Sequence, residues 1–184
     1  MAATTVKGTH ITNLDASPRT PLESGSAVGK MRVFADTIAA ATTSLDEDGD
    51  AIVLAEVPSN AKIVSIKLYN DDCDGHACPT LAANCGVYNG GQPFTDSTTK
   101  YAADALIDED SYATAITTLQ AANTTGVELA FEARNVNAVA NYVWEDCGLS
   151  EDPRVPLRIA LTVSTAAATA AAGDITLVVT YVVD

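Results

Sequence analysis

Leu157-Arg158-Ile159-Ala160-Leu161-Thr162-Val163 and Ile175-Thr176-Leu177-Val178-Val179-Thr180-Tyr181-Val182-Val183 carry the reading of the fold. In the first, Leu157, Ile159, Leu161 and Val163 recur at every second position; in the second, Ile175, Leu177, Val179, Tyr181 and Val183 do the same. Side chains of a strand alternate between its faces, so this period defines two half-buried strands. Pro153 and Pro156 precede the first and Gly173-Asp174 opens the second, and together they read as a hairpin. The Ala/Thr tract from Ser164 to Ala172 joins them, either as a surface loop or as an intersubunit contact.

Toward the N-terminus the same period returns. From Ala61 to Tyr69, Val64, Ile66 and Leu68 share one face while Ser65, Lys67 and Tyr69 share the other. Ala51 to Val57 reads as a strand stopped by Pro58, after an acidic turn from Leu45 to Asp50 that contains an Asp-Gly pair. Lys30 to Thr43, with Val33, Phe34 and Ile38, predicts a further strand, as do Leu81 to Tyr88 and Val127 to Phe131. Ala102 to Ile107 and Tyr112 to Ala121 read as short helices or loops.

A single helix is predicted over about 135–147. Val136, Val139, Ala140, Val143, Trp144 and Cys147 fall at helical spacing, Asn135 supplies an N-cap, and Gly148 stands where a left-handed C-terminal residue belongs. Trp144 shares the apolar stripe and is expected to anchor the helix in the core. The domain organisation is then an extended N-terminal arm, 1–29, rich in Thr, Ser, Pro and Gly, followed by one mainly β domain, 30–184. The arm has too few apolar residues to fold by itself, and its ordering would come from a neighbouring subunit.

Composition narrows function. The 184 residues carry a net charge of −14, from 24 acidic and 10 basic side chains. That balance argues against direct nucleic-acid binding, which depends on Lys and Arg displacing counterions from phosphate. No stretch is long and apolar enough to span a bilayer and no signal peptide opens the chain, so a soluble product of the cytoplasm is expected. Only His10 and His76 could serve as imidazole bases, and no phosphate loop, nucleophile elbow or helical pair of metal-binding histidines is present. A non-enzymatic protein without a cofactor is the expectation.

The Cys-rich loop Asp71-Asp72-Cys73-Asp74-Gly75-His76-Ala77-Cys78, followed by Cys85, leaves three readings open: a disulfide, Cys73 to Cys78 or Cys73 to Cys85; a zinc site; or free thiols. The spacing lacks the Cys-x-x-Cys knuckle of zinc sites. Cys147 reads as a small apolar residue on the helix stripe. Asp46, Glu47, Asp48 and Asp50 could ligate calcium, but the segment lacks the length and distal Glu of an EF-hand, and a solvated turn accounts for it.

Four segments bear a resemblance: Thr5-Val6-Lys7-Gly8-Thr9, Gly29-Lys30-Met31-Arg32-Val33, Pro58-Ser59-Asn60-Ala61-Lys62-Ile63, and Gly173-Asp174-Ile175-Thr176-Leu177-Val178-Val179-Thr180-Tyr181. In these the chain resembles the small β-rich structural proteins of tailed bacteriophages that accompany the major capsid protein. The resemblance implies a capsid decoration, or cement, protein: a jelly roll or related antiparallel β-sandwich, trimeric, bound to the major capsid protein on the outer surface of the virion. The Cys-rich loop and the stretch from Gly91 to Thr125 depart from that family's shorter pattern. Two other classes fit the residues: a tail or head-completion component, and a receptor- or glycan-binding sandwich using Tyr69, Tyr88 or the Cys-rich loop.

Overall fold

Alternating burial sorts the strands into two sheets. The computed structural model describes Pro18 and residues 30–183; apart from Pro18, the expected arm lies outside the described residues. In chain order the elements are β1 Lys30–Ala40, β2 Ala51–Val57, β3 Lys62–Asn70, β4 Ala82–Asn89, β5 Phe94–Asp96, β6 Thr99–Tyr101, β7 Leu106–Ile116, β8 Asn123–Glu128, a single α-turn α1 Val143–Asp146, β9 Leu157–Thr165 and β10 Gly173–Val183.

One sheet has the order β1-β10-β3-β8, the other β2-β9-β4-β7, with every neighbouring pair antiparallel. The pairs β1 with β10, β2 with β9, β3 with β8 and β4 with β7 are nested like the arms of one long hairpin. Wrapping that hairpin adds β10 beside β3 and β9 beside β4, which is the jelly-roll arrangement of an antiparallel β-sandwich. Between the sheets lie Ile63, Ile66 and Leu68 of β3, Leu157, Ile159 and Leu161 of β9, and Ile175, Leu177 and Val179 of β10, all essentially inaccessible. The small hairpin β5–β6, stacked through Phe94 and Tyr101 at 4.9 Å, is inserted between β4 and β7.

Four expectations change. First, β9 and β10 are both present but belong to opposite sheets, so they do not form a hairpin. Their connection crosses the sandwich edge and lies against the Cys-rich loop, through Gly75 N–H to the Thr169 carbonyl and Ala171 N–H to the Cys73 carbonyl, both at 3.0 Å.

Second, the helix expected over 135–147 is largely absent. Val136–Ala140 is a 3-10 turn that Asn135 caps through the Asn137 N–H, and α1 follows only after Asn141 and Tyr142 adopt extended backbone. The Val143 N–H leaves the helical path to bond the Ala61 carbonyl at 2.8 Å, which docks α1 on the approach to β3. Val136 is therefore 64% exposed, while Val143 is buried and Gly148 takes the left-handed φ of 73°.

Third, the segment from Leu106 to Ile116, read partly as helix or loop, is a long edge strand. Between Cys85 and Val87 its partner jumps from Ala113 to Asp108, so several β7 residues bulge out of the ladder. The bulge passes over Gly86, whose missing Cβ would lie 2.2 Å from the Asp108 carbonyl oxygen.

Fourth, Val64 is exposed although Ile66 and Leu68 are buried. A bulge opposite Thr180 and Tyr181 skips Val64 and turns Ile63 inward instead.

Candidate functional site: loop clamps and the exposed sheet

Three short polar side chains, buried where the sequence showed only loops, hold the ends of the sandwich. Asn70 ends β3 and donates its amide to the Asp71 and Ala121 carbonyls at 2.6 and 2.9 Å. Asn89 ends β4 and donates to the Gln92 and Ala102 carbonyls, closing the base of the β5–β6 insertion. Asp74 is the most heavily used: its carboxylate accepts from the N–H groups of Thr80, Leu81, Ala168 and Thr169 at 2.8 to 3.1 Å. Burial alone would raise its pKa, but those four amides outweigh it and hold the carboxyl at about 2. The Cys-rich loop and the β9–β10 crossover are thereby pinned to one carboxylate.

A second polar centre lies under α1. Arg134 pairs with Asp146, both side chains almost wholly inaccessible, and donates to the Ile63 carbonyl at 2.8 Å. Its guanidinium lies over the rings of Phe131 and Tyr112, at 4.7 and 5.4 Å. The Tyr112 hydroxyl donates to the same Asp146 oxygen. Burial pushes the Asp146 carboxyl up to about 6, even though Arg134 and Tyr112 pull it down. The pair is enclosed, with both side chains shielded from solvent.

The sequence-predicted site residues are dispersed. Cys73, Cys78 and Cys85 are free thiols in very different settings: Cys73 and Cys85 are buried and Cys78 is exposed. Burial, with Asp71 and Asp72 adding to it, raises the Cys73 thiol to about 11, and burial raises Cys85 to about 12. Cys147 is buried as expected, with its thiol likewise raised to about 12. One fast-reacting thiol per native chain is expected from titration with a chromogenic disulfide reagent, with the rest appearing on unfolding. Loss of that fast signal in Cys78→Ser checks the assignment, and two or more fast thiols would contradict it.

Trp144 packs against the core at partial burial, and Val143 is the enclosed anchor of that turn. His76 is folded into its own loop, with Nδ1 3.0 Å from the Cys78 amide nitrogen. No group of three or more metal-ligating side chains occurs among the described residues, and no helix among them is long and apolar enough to cross a membrane. Within the acidic turn, Asp48 accepts from the Ala166 N–H and Asp50 from the Glu47 N–H, so these carboxylates organise backbone. Tyr88 is buried with its hydroxyl 2.9 Å from that of Thr162, and Tyr69 lies half-buried beneath Gly126, so neither forms an exposed aromatic platform.

Concavities are shallow. A cleft of about 460 Å³ runs between Val57-Pro58-Ser59 and Asp152, Arg154 and Pro156. Ser59 donates to Asp152 at 2.6 Å, and none of the lining residues is a histidine.

The exposed surface is the outer face of β1 and β10. Met31 and Val33 are 68% and 61% exposed, beside the half-buried Val178 and Val182. The other sheet offers less, because every residue of β4 is buried and the β7 bulge crosses it.

These features describe a jelly-roll β-sandwich whose buried polar side chains hold its loops in place. No family model matches the chain, and no curated protein sequence matches it. Its fold is similar to that of solved chains from two phage particles. A chain of the "Cyanophage Pam1 capsid asymmetric unit" superimposes with a TM-score of 0.52 at 20% identity, over 92% of this chain and 97% of that one. A chain of the "Capsid of Ralstonia phage GP4" gives 0.55 at 22% identity, over 90% of each.

Proposed function

We propose that the protein is a virion structural protein of a tailed bacteriophage, and specifically a capsid decoration protein that sits as a trimer on the outer surface of the head. The observation that carries this reading is the extent of the fold similarity. It spans nine-tenths or more of this chain and of its counterparts in two capsids, so those counterparts are also little more than one jelly roll.

Charge supports the outer position. At −14 the protein is repelled by packaged nucleic acid and suits the outside of a DNA-filled shell. Cementing then works by bridging neighbouring copies of the major capsid protein, so that internal pressure must break added contacts before it separates them. An interface of standard size buries roughly 1,200–2,000 Å², and a trimer multiplies it by avidity.

Residues 1–29, with the composition of an arm, are assigned to capsid attachment. Deleting Thr4 to Gly25 is expected to leave the melting of the domain unchanged and to abolish co-sedimentation with particles. Unchanged occupancy would overturn the arm assignment. Copy number per particle tests the wider reading: hundreds of copies support decoration, while a dozen or fewer would favour a tail or head-completion part.

A further inference from the structure

We propose that β1 is a self-pairing edge, through which two copies of this chain join their exposed sheets into one continuous antiparallel sheet across a twofold axis.

The strand is unusual for an exposed edge. It runs over eleven residues, and among the described residues only β10 pairs with it. Long, regular, apolar edges are templates for association, and natural proteins ordinarily shorten, bulge or charge them. Here the ladder to β10 is in unbroken register from Lys30 with Val183 to Ala40 with Gly173.

Backbone direction follows from a hydrogen bond at one end of the sheet. Asp174 uses its backbone toward β3, where its carbonyl accepts from the Asp71 N–H. The odd residues of β10 therefore bond β1, and their partners are Ile38, Asp36 and Phe34. The N–H and C=O groups of Met31, Val33, Ala35 and Thr37 face the open edge. Consistently, the Thr37 N–H turns to the Asp36 carboxylate instead of to β10.

The side chains are self-complementary. Lys30 and Arg32 stand at the start of β1 and Asp36 beyond its middle, and neither cation has an ion-pair partner among the described residues. Arg158, across the cleft from Asp36, is already engaged by Glu56 and Asp104. An antiparallel pairing centred on Phe34 sets Arg32 of each copy opposite Asp36 of the other. It also sets Val33 opposite Ala35, Met31 opposite Thr37, and the two Phe34 side chains together on the axis. Val33 with Ala35 and Met31 with Thr37 are then the hydrogen-bonded pairs, which matches the direction of their free backbone groups. In a chain of net charge −14, β1 carries two basic residues and one acidic, so the strand lacks the acidic excess that would set copies apart.

The contact concerns the free chain and stands apart from the capsid reading; on a shell it would link neighbouring trimers. Its test is the mass of the purified full chain, by sedimentation velocity across a concentration series. The mass of the unsubstituted protein is expected to approach twice a limiting unit as concentration rises. Arg32→Asp and Asp36→Arg each place like charges opposite one another and should weaken that doubling by roughly tenfold, while the double exchange restores it. Val33→Pro removes an N–H that faces the open edge, so it should hold the protein at the limiting unit with its melting profile intact. A mass that does not rise with concentration, or one that both single exchanges leave unchanged, would overturn the proposal.

Discussion

Asp74→Ala is expected to destabilise the domain by about 3 kcal/mol or more, one of the two largest losses from any single side chain described. Four backbone N–H groups, two beside the Cys-rich loop and two in the crossover, lose a charged acceptor at once, and that of Leu81 is buried. Asp74→Asn, which keeps one acceptor oxygen, should lose less. Urea denaturation at neutral pH measures both. The pH dependence has a defined sign. The folded carboxyl is held at about 2, below its ordinary value of 3.8, so its stabilisation is complete above about 4 and disappears as pH falls toward 2. The stability of the unsubstituted protein should therefore fall more steeply over that window than that of Asp74→Ala. Parallel curves would show that the carboxylate is not the clamp.

Arg134→Leu should cost about 3–5 kcal/mol, because it leaves Asp146 enclosed without its cation and removes the donor to Ile63. The second substitution Asp146→Leu, made on top of the first, should recover much of the loss, since an apolar pair of similar size carries no desolvation penalty. Burial holds the Asp146 carboxyl at about 6, above its ordinary value of 3.8, so the stability it contributes is present in full below about 4 and is lost as pH rises through 6. Without Arg134 the carboxyl is harder still to ionise, and the deficit of Arg134→Leu should shrink on moving from pH 8 to pH 5. A deficit independent of pH, or a double variant no better than the single one, would place the cost in packing alone.

Both predictions concern residues that periodicity does not reveal. Asp74 stands in a loop singled out for its thiols, and nothing local distinguishes it from Asp71 or Asp72; its role depends on a crossover some ninety residues away. For Arg134 the usable signal is a lone basic residue between the apolar strand Val127 to Phe131 and the helical stripe. Trp144 packs against the core at partial burial, and the fully buried Val143 and the Ala61 carbonyl dock the same turn.

By itself the sequence determined what is local and periodic. Alternation in Ile175 to Val183, in Ala51 to Val57 and through most of β3 requires strands with one face in a core, because any other backbone would leave half of those side chains in water. It also placed the capping residues Asn135 and Gly148 correctly, since caps act on their immediate neighbours. Tertiary structure decided the rest. β9 and β10 carry the same pattern, and only the nesting of four long-range pairs sends them to opposite sheets. β7 is a strand despite Asp108, Glu109 and Asp110 because β4 offers it an edge, and its bulge exists because Gly86 leaves room for it. The helix does not run back to Asn135 because the Ala61 carbonyl takes the Val143 amide, which in a continuous helix would bond the Val139 carbonyl. In each case the deciding partner is distant along the chain, and period alone carries no record of which partner that is.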